Sequence, residues 1–333
     1  MPAMFESGWA REQAWHGGMN VVDEPANAEQ ALEWSGLGGW ELVKLPLFTI
    51  AADGSRLEVP DRFAHVRSRD NRVLGVVGNV YRSVTNEDAF KWADELVGGF
   101  GAHYKTAGSL YGGKVVWVLL DVPFEINVGD QKLRTSIYLT NSHDGSSPVE
   151  AAFTTTNIVC ANTLALARHS GVDRVRIKHC TNAEQKLAEA QKTMHLVEGA
   201  RERSAQLAEA LFAKHITRDT VGDVLDAVFP LPDTKGVEYD DLERGLKRSL
   251  SIAEDKRNAV MAIYAGTAGD ALGQRQSDST AWGLYNAFSA AYQHQPLLGK
   301  TEDDRVRKAD AIFDNIMSAQ SPADKALELL VAV

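Results

Sequence analysis

A chain of 333 residues is too long for one small core, so two lobes or one elaborated domain are expected. A hydrophobic share of 44% against 24% charged residues excludes wholesale disorder. No apolar run reaches the roughly 18 to 20 residues that span a bilayer. The net charge of −10 excludes a uniformly basic coat for nucleic acid.

The first fifteen residues lack a basic start, an apolar centre and a small-residue cleavage site, so no secretory leader is expected. Cys160 and Cys180 suit a reducing compartment, and the cytoplasm is the expected location. Asn27, with Gln30 three residues on, opens a helix over AEQALEWSG that stops at the glycines of GLGGW. WELVKLPLFTI reads as extended, with Pro46 interrupting it. VPDRFAHVR, the turn SRDN and RVLGVVG form a hairpin pattern. Thr85, three residues before Asp88, starts a helix on which Phe90, Ala93, Leu96 and Val97 share a face.

The centre of the chain is the most informative stretch. HYKTAGSL and KVVWVLLDV flank Gly112 and Gly113, a strong hairpin signal. LRTSIYLTN and PVEAAFTTT flank the polar loop SHDGSS, and NIVCANTLALAR then reads as a helix. This order of helix, antiparallel strands and helix gives an α+β fold with a sheet core flanked by helices. Its glycines sit at turns and lack the spacing of a phosphate-binding loop.

From Thr181 the pattern becomes helical. One long helix is expected over residues 181–213, with Leu187, Ala190, Met194 and Val197 at three-and-four spacing. Further helices are expected around DTVGDVLDAVF, VEYDDLERGLKRSL, KRNAVMAIYAG, STAWGLYNAFSAAYQH, TEDDRVRKADAIFDNIMSA and SPADKALELLVAV. Three parts follow: an N-terminal α/β segment over 1–60 packing on the core, an α+β core over 61–180, and a helical region over 181–333. Their net charges are −6, about +2 and −6, so only the middle is positive.

No catalytic residue and no metal ligand set is assigned, and no cofactor is expected. His143 and Asp144 are adjacent, and neighbours on an extended chain point to opposite sides, so they need not converge. His179 and Cys180 stand beside one another without metal-motif spacing. The positive residues of the middle region are the better set. Arg82, Lys105, Lys114, Lys132 and Arg134 fall on or beside strands, while Arg174, Arg176 and Lys178 would share one strand face. A polyanion lying across them would relieve their repulsion, and Tyr104 and Tyr111 would stack bases. The plain alternative is a solvated strand face with tyrosines in the core.

Several blocks resemble the phage/plasmid-like protein family, a domain-of-unknown-function family. They include WHGGMNVVDEPANAEQALEWSGL, VLGVVGNVYRSVTNEDAF, AHYKTAGSLYGGKVVWVLL, LTNSHDGSSPVEAAFTTTNIVCANTLALA and TAWGLYNAFSAAYQH, in that order from about Trp15 to His294. The resemblance implies a mobile-element protein working in a bacterial host cell. The core topology is also weakly similar to that of single-strand annealing proteins, which hold DNA in oligomeric rings or filaments without a catalytic residue. The resulting expectation is an oligomeric single-stranded DNA-binding and annealing protein with no membrane partner, whose C-terminal helices make the subunit contacts. The alternative is a protein-interaction factor of the anti-restriction or anti-defence kind.

Overall fold

Two sheets and a helical layer build the molecule. The computed structural model describes residues 8–10, 20–21, 27–129, 131–156, 175–176, 183–266, 279–293 and 321–333. In chain order the strands are β1 (Gly8–Ala10), β2 (Asn20–Val21), β3 (Leu42–Ile50), β4 (Arg56–Arg67), β5 (Arg72–Gly78), β6 (His103–Leu110), β7 (Val115–Val128), β8 (Gln131–Ser142), β9 (Glu150–Thr156) and β10 (Val175–Arg176). The helices are α1 (Ala28–Trp34), α2 (Asn86–Phe90), α3 (Asp94–Phe100), α4 (Ala183–Ala213), α5 (Arg218–Val228), α6 (Arg244–Tyr264), α7 (Ala281–Gln293) and α8 (Pro322–Ala332).

The larger sheet has the order β10-β9-β8-β7-β6-β1-β2 and is antiparallel except between β1 and β2. Its centre is β6 to β9, the strand segments read from sequence. Val118 faces Leu139 and Leu120 faces Ile137 across β7 and β8, and all four side chains enter the main core. Helices close over that face. Leu96 of α3, Ala190, Met194 and Val197 of α4, and Trp282, Tyr285 and Phe288 of α7 belong to the same buried cluster. The α4 stripe continues through Ala200, Ala208 and Leu211, so it is core packing along a 31-residue helix.

The expected helix from Thr85 forms in three pieces. Thr85 caps it as read, its hydroxyl accepting from the Asp88 amide at 3.1 Å. A tighter 3-10 turn over Lys91–Ala93 then separates α2 from α3. That turn lets Phe90, Trp92, Ala93 and Leu96 all enter the core, a denser burial than one regular α-helical stripe provides. The two helices expected between residues 237 and 264 are instead one, α6, led by a short 3-10 turn at Tyr239–Asp241. No Gly or Pro interrupts the connecting SIAED, so the helix continues. The helix expected after β9 lies outside the described residues, as does the one expected over 301–319.

The smaller sheet, order β3-β4-β5, spans the division expected at residue 60. That division falls inside β4, so the N-terminal segment and the core share a sheet. Pro46 lies on edge strand β3, a position where a missing N–H is tolerated, and the register slips between Pro46 and Phe48.

Candidate nucleic-acid interface

The junction between the two sheets is polar, buried and closely fitted. His143 extends the β7–β8 ladder, its amide donating to the Lys114 carbonyl at 2.7 Å. Its Nε2–H donates to Asn86 Oδ1 at 2.9 Å, since Asn86 spends its amide on the Leu37 carbonyl. Among the described residues the bare Nδ1 has no hydrogen-bond partner. Burial, with His65 and Arg67 nearby, pushes the ring's pKa down to about 3, so it is neutral at pH 7. The carbonyl of His143 accepts from Nδ1–H of His65 at 2.6 Å, and His65 Nε2 accepts from the Ser83 hydroxyl at 2.7 Å. Burial lowers the His65 pKa as well.

Asp144 goes elsewhere. Its Oδ1 accepts from the Ser142 hydroxyl at 2.8 Å and the Ser146 amide at 2.9 Å, which ties the turn. His143 and Asp144 therefore serve different partners, as adjacent extended residues do. Gly75 of β5 lies directly against this turn: a methyl group there would sit 2.5 Å from the Asp144 Cα. Gly75→Ala is expected to cost about 1–3 kcal/mol by prising the sheets apart, read as a shift of the urea midpoint.

Among the described residues, the expected cations do not gather in one trough. Lys105 and Lys132 are paired, Lys105 with Asp121 at 3.1 Å and Lys132 with Glu125 at 3.4 Å. Lys114 sits at the sheet junction; burial pushes the Asp144 carboxyl up, and the hydrogen bonds from Ser146 and Ser142, with the Lys114 charge adding to them, hold it below its ordinary value. Lys114 and Lys132 flank opposite ends of β7, on the order of 40 Å apart along the strand. Arg82 is exposed in the loop after β5, and Arg176 is exposed on β10. Arg174 and Lys178 lie outside the described residues, as does the side chain of Arg134.

The tyrosines also part company. Tyr104 is fully buried in the core and its hydroxyl donates to Asp94 at 2.7 Å, so its ring cannot stack a base. The same Asp94 oxygen accepts from the Ala28 amide at 2.7 Å, linking α1 to α3. Tyr104→Phe should cost about 1 kcal/mol in a chemical melt, with no change in ligand binding. Tyr111 is partly buried at the β6–β7 turn, at φ +52, and packs beside Leu110 and Trp117.

Positive charge concentrates on the smaller sheet. Residues 42–82 carry Lys44, Arg56, Arg62, Arg67, Arg69, Arg72 and Arg82 against Asp53, Glu58, Asp61 and Asp70, a balance of +3 in a chain of −10. Several of these cations lie over aromatic rings. The Arg56 guanidinium is 4.3 Å from the Phe48 ring centre, and Lys44 Nζ is 5.1 Å from that of Phe63. Arg67 and Arg69 lie 4.3 and 5.3 Å from Trp40. Arg67 is buried and committed to Asp70, whose pKa it draws down to about 2. Lys44 Nζ donates to the carbonyls of Asn79 and Tyr81, both at 2.9 Å, which pins the loop after β5. Arg56, Arg62, Arg69 and Arg82 are exposed. The sheet also presents Leu45, Phe48, Ile50, Leu57, Val73 and Val76 to solvent.

The model of one protein family, described as Domain of unknown function (DUF932), matches residues 73–313. The chain belongs to that family. The DUF932 match opens within β5 and takes in α2, α3 and the four long strands β6 to β9, with α4 to α7 after them. The β3–β4 hairpin, with Lys44, Arg56 and Arg62, precedes it. No curated protein and no solved structure matches the chain. Among the described residues no helix is long and apolar enough to cross a membrane.

Proposed function

We propose that this chain is an oligomeric single-stranded DNA-binding and annealing protein of a phage or other mobile element, with the β3–β4–β5 sheet as its DNA-contacting face. The observation that carries the reading is the +3 balance of residues 42–82 on a chain otherwise acidic, with Arg56, Arg62, Arg69 and Arg82 exposed and Arg56 lying over exposed Phe48. Phosphates neutralised by Arg56, Arg62, Arg69 and Arg82 release counterions, a gain independent of base sequence. Aromatic and guanidinium planes give bases a surface to stack on without reading their edges. Annealing needs that combination, because the edges must stay free to pair.

The exposed apolar residues support the oligomeric part of the reading. Leu45, Ala64 and Val76 form one row across the three strands, with Leu45 and Val76 about half exposed. A second copy of the chain would remove such a row from water. The same row favours the alternative, a factor that binds a host protein, and the two differ in what they require of DNA.

Fluorescence anisotropy of a labelled oligonucleotide across a salt series tests the proposal. Binding at low salt that weakens linearly in log–log form is expected. Absence of single-strand binding at low salt, where the electrostatic gain is largest, would overturn it.

A further inference from the structure

The polar junction also holds a serine–histidine pair, Ser83 with His65. Ser83 is exposed in the loop between β5 and α2, while its partner His65 is fully buried. The His143 carbonyl can only accept, so the proton of His65 sits on Nδ1 and Nε2 presents its lone pair to the Ser83 hydroxyl. The chain Ser83 Oγ to His65 to main-chain carbonyl has lengths of 2.7 and 2.6 Å. It places the base out of water beside a serine that is exposed as a residue. Each member is independently fixed. Lys44 pins the serine loop through Asn79 and Tyr81, the Tyr81 ring stands edge-on to His65 at 5.3 Å, and the His143 carbonyl is held by the β7–β8 ladder and Asn86.

We infer that Ser83 is a nucleophile activated by His65, taking an acyl group from a carboxylic ester. Ser83 Oγ attacks the carbonyl carbon as its proton passes to His65 Nε2. The tetrahedral centre expels the alkoxide, which takes that proton and leaves as the alcohol. A water molecule deprotonated by the same nitrogen then attacks the acyl-serine. The acid departs and the proton returns to Ser83, so ester and water become acid and alcohol. A carbonyl in third place orients the imidazole but supports imidazolium less than a carboxylate would, so turnover is slow while the serine remains selectively reactive.

A fluorophosphonate probe reads this directly: a bond forms from Ser83 Oγ to phosphorus, the phosphorus–fluorine bond breaks, and fluoride leaves. Peptide mass spectrometry on the intact folded chain should find the adduct on Ser83. Its rate should exceed that at exposed Ser249, whose hydroxyl donates to the Gly245 carbonyl, by at least about ten-fold. The advantage should disappear in urea and in His65→Gln. Should His65→Gln fail to fold, the thiol of Ser83→Cys replaces it as the readout, and should alkylate with iodoacetamide at pH 6.5 faster in the folded than in the unfolded chain. Labelling of Ser83 no faster than Ser249, or equal alkylation in the two states, overturns the inference. Neither outcome touches DNA binding, which is measured separately.

Discussion

Taking the protein from pH 7 to pH 5 should remove about 2 kcal/mol of folding stability through His143 alone. In the unfolded chain this ring takes a proton near its ordinary value of 6.5, whereas in the fold it waits until about 3. Between those values the unfolded state binds more protons, so acid favours unfolding. The contribution is whole above about pH 6.5 and is lost as the pH falls toward 3, reaching roughly 4 kcal/mol at the low end by the linkage relation. The cause is geometric: the ring is buried, its Nε2–H is committed to Asn86, and among the described residues no carboxylate hydrogen-bonds the bare Nδ1 to receive a second proton's charge. His65, also lowered by burial, adds in the same direction. Urea melts at steps between pH 7 and pH 4.5 check this. His143→Gln keeps a donor toward Asn86, and should flatten the pH dependence while lowering the midpoint at pH 7. A melt as pH-sensitive in the variant as in the parent would remove His143 as the source.

Replacing Arg56, Arg62 and Arg82 together by glutamate should weaken single-stranded DNA binding on the order of 100-fold at moderate salt. The salt slope should fall by about 2, since three phosphate contacts are withdrawn. These side chains are exposed, so the fold should survive, which circular dichroism reports. Lys132→Gln is the matching control. That cation already faces Glu125 at 3.4 Å in solvent, and its loss should change affinity by less than about three-fold. The contrast separates a localised face from a diffuse attraction of DNA to any lysine.

Local chemistry made much of the fold readable. Asn27 and Thr85 cap the helices they were expected to cap, and each hairpin of the core turns at its glycines or at a short polar loop. These are decisions made within a few residues, and sequence records them. Pro46 was read as an interruption and marks a register slip on an edge strand. The candidate site was less legible, and the reason is the division placed at residue 60. It assigned Lys44 and Arg56 to an acidic N-terminal segment and split the one sheet on which the positive balance lies. The density of arginine in HVRSRDNRV was the available signal. Pairing was the second obstacle. Lys105 and Lys132 carry the right charge, but Asp121 and Glu125 meet them across neighbouring strands, and strand register cannot be read from charge alone. Tyr104 shows the same limit, because an alternating strand pattern does not say which face is the core.

Photocrosslinking an oligonucleotide carrying bromodeoxyuridine, followed by peptide mass spectrometry, tests the location of the DNA-contacting face most directly. Adducts should fall within residues 42–82, on Phe48, Tyr81 and their neighbours. Adducts confined to β6–β9 would contradict the account, as would their absence under conditions where the oligonucleotide binds.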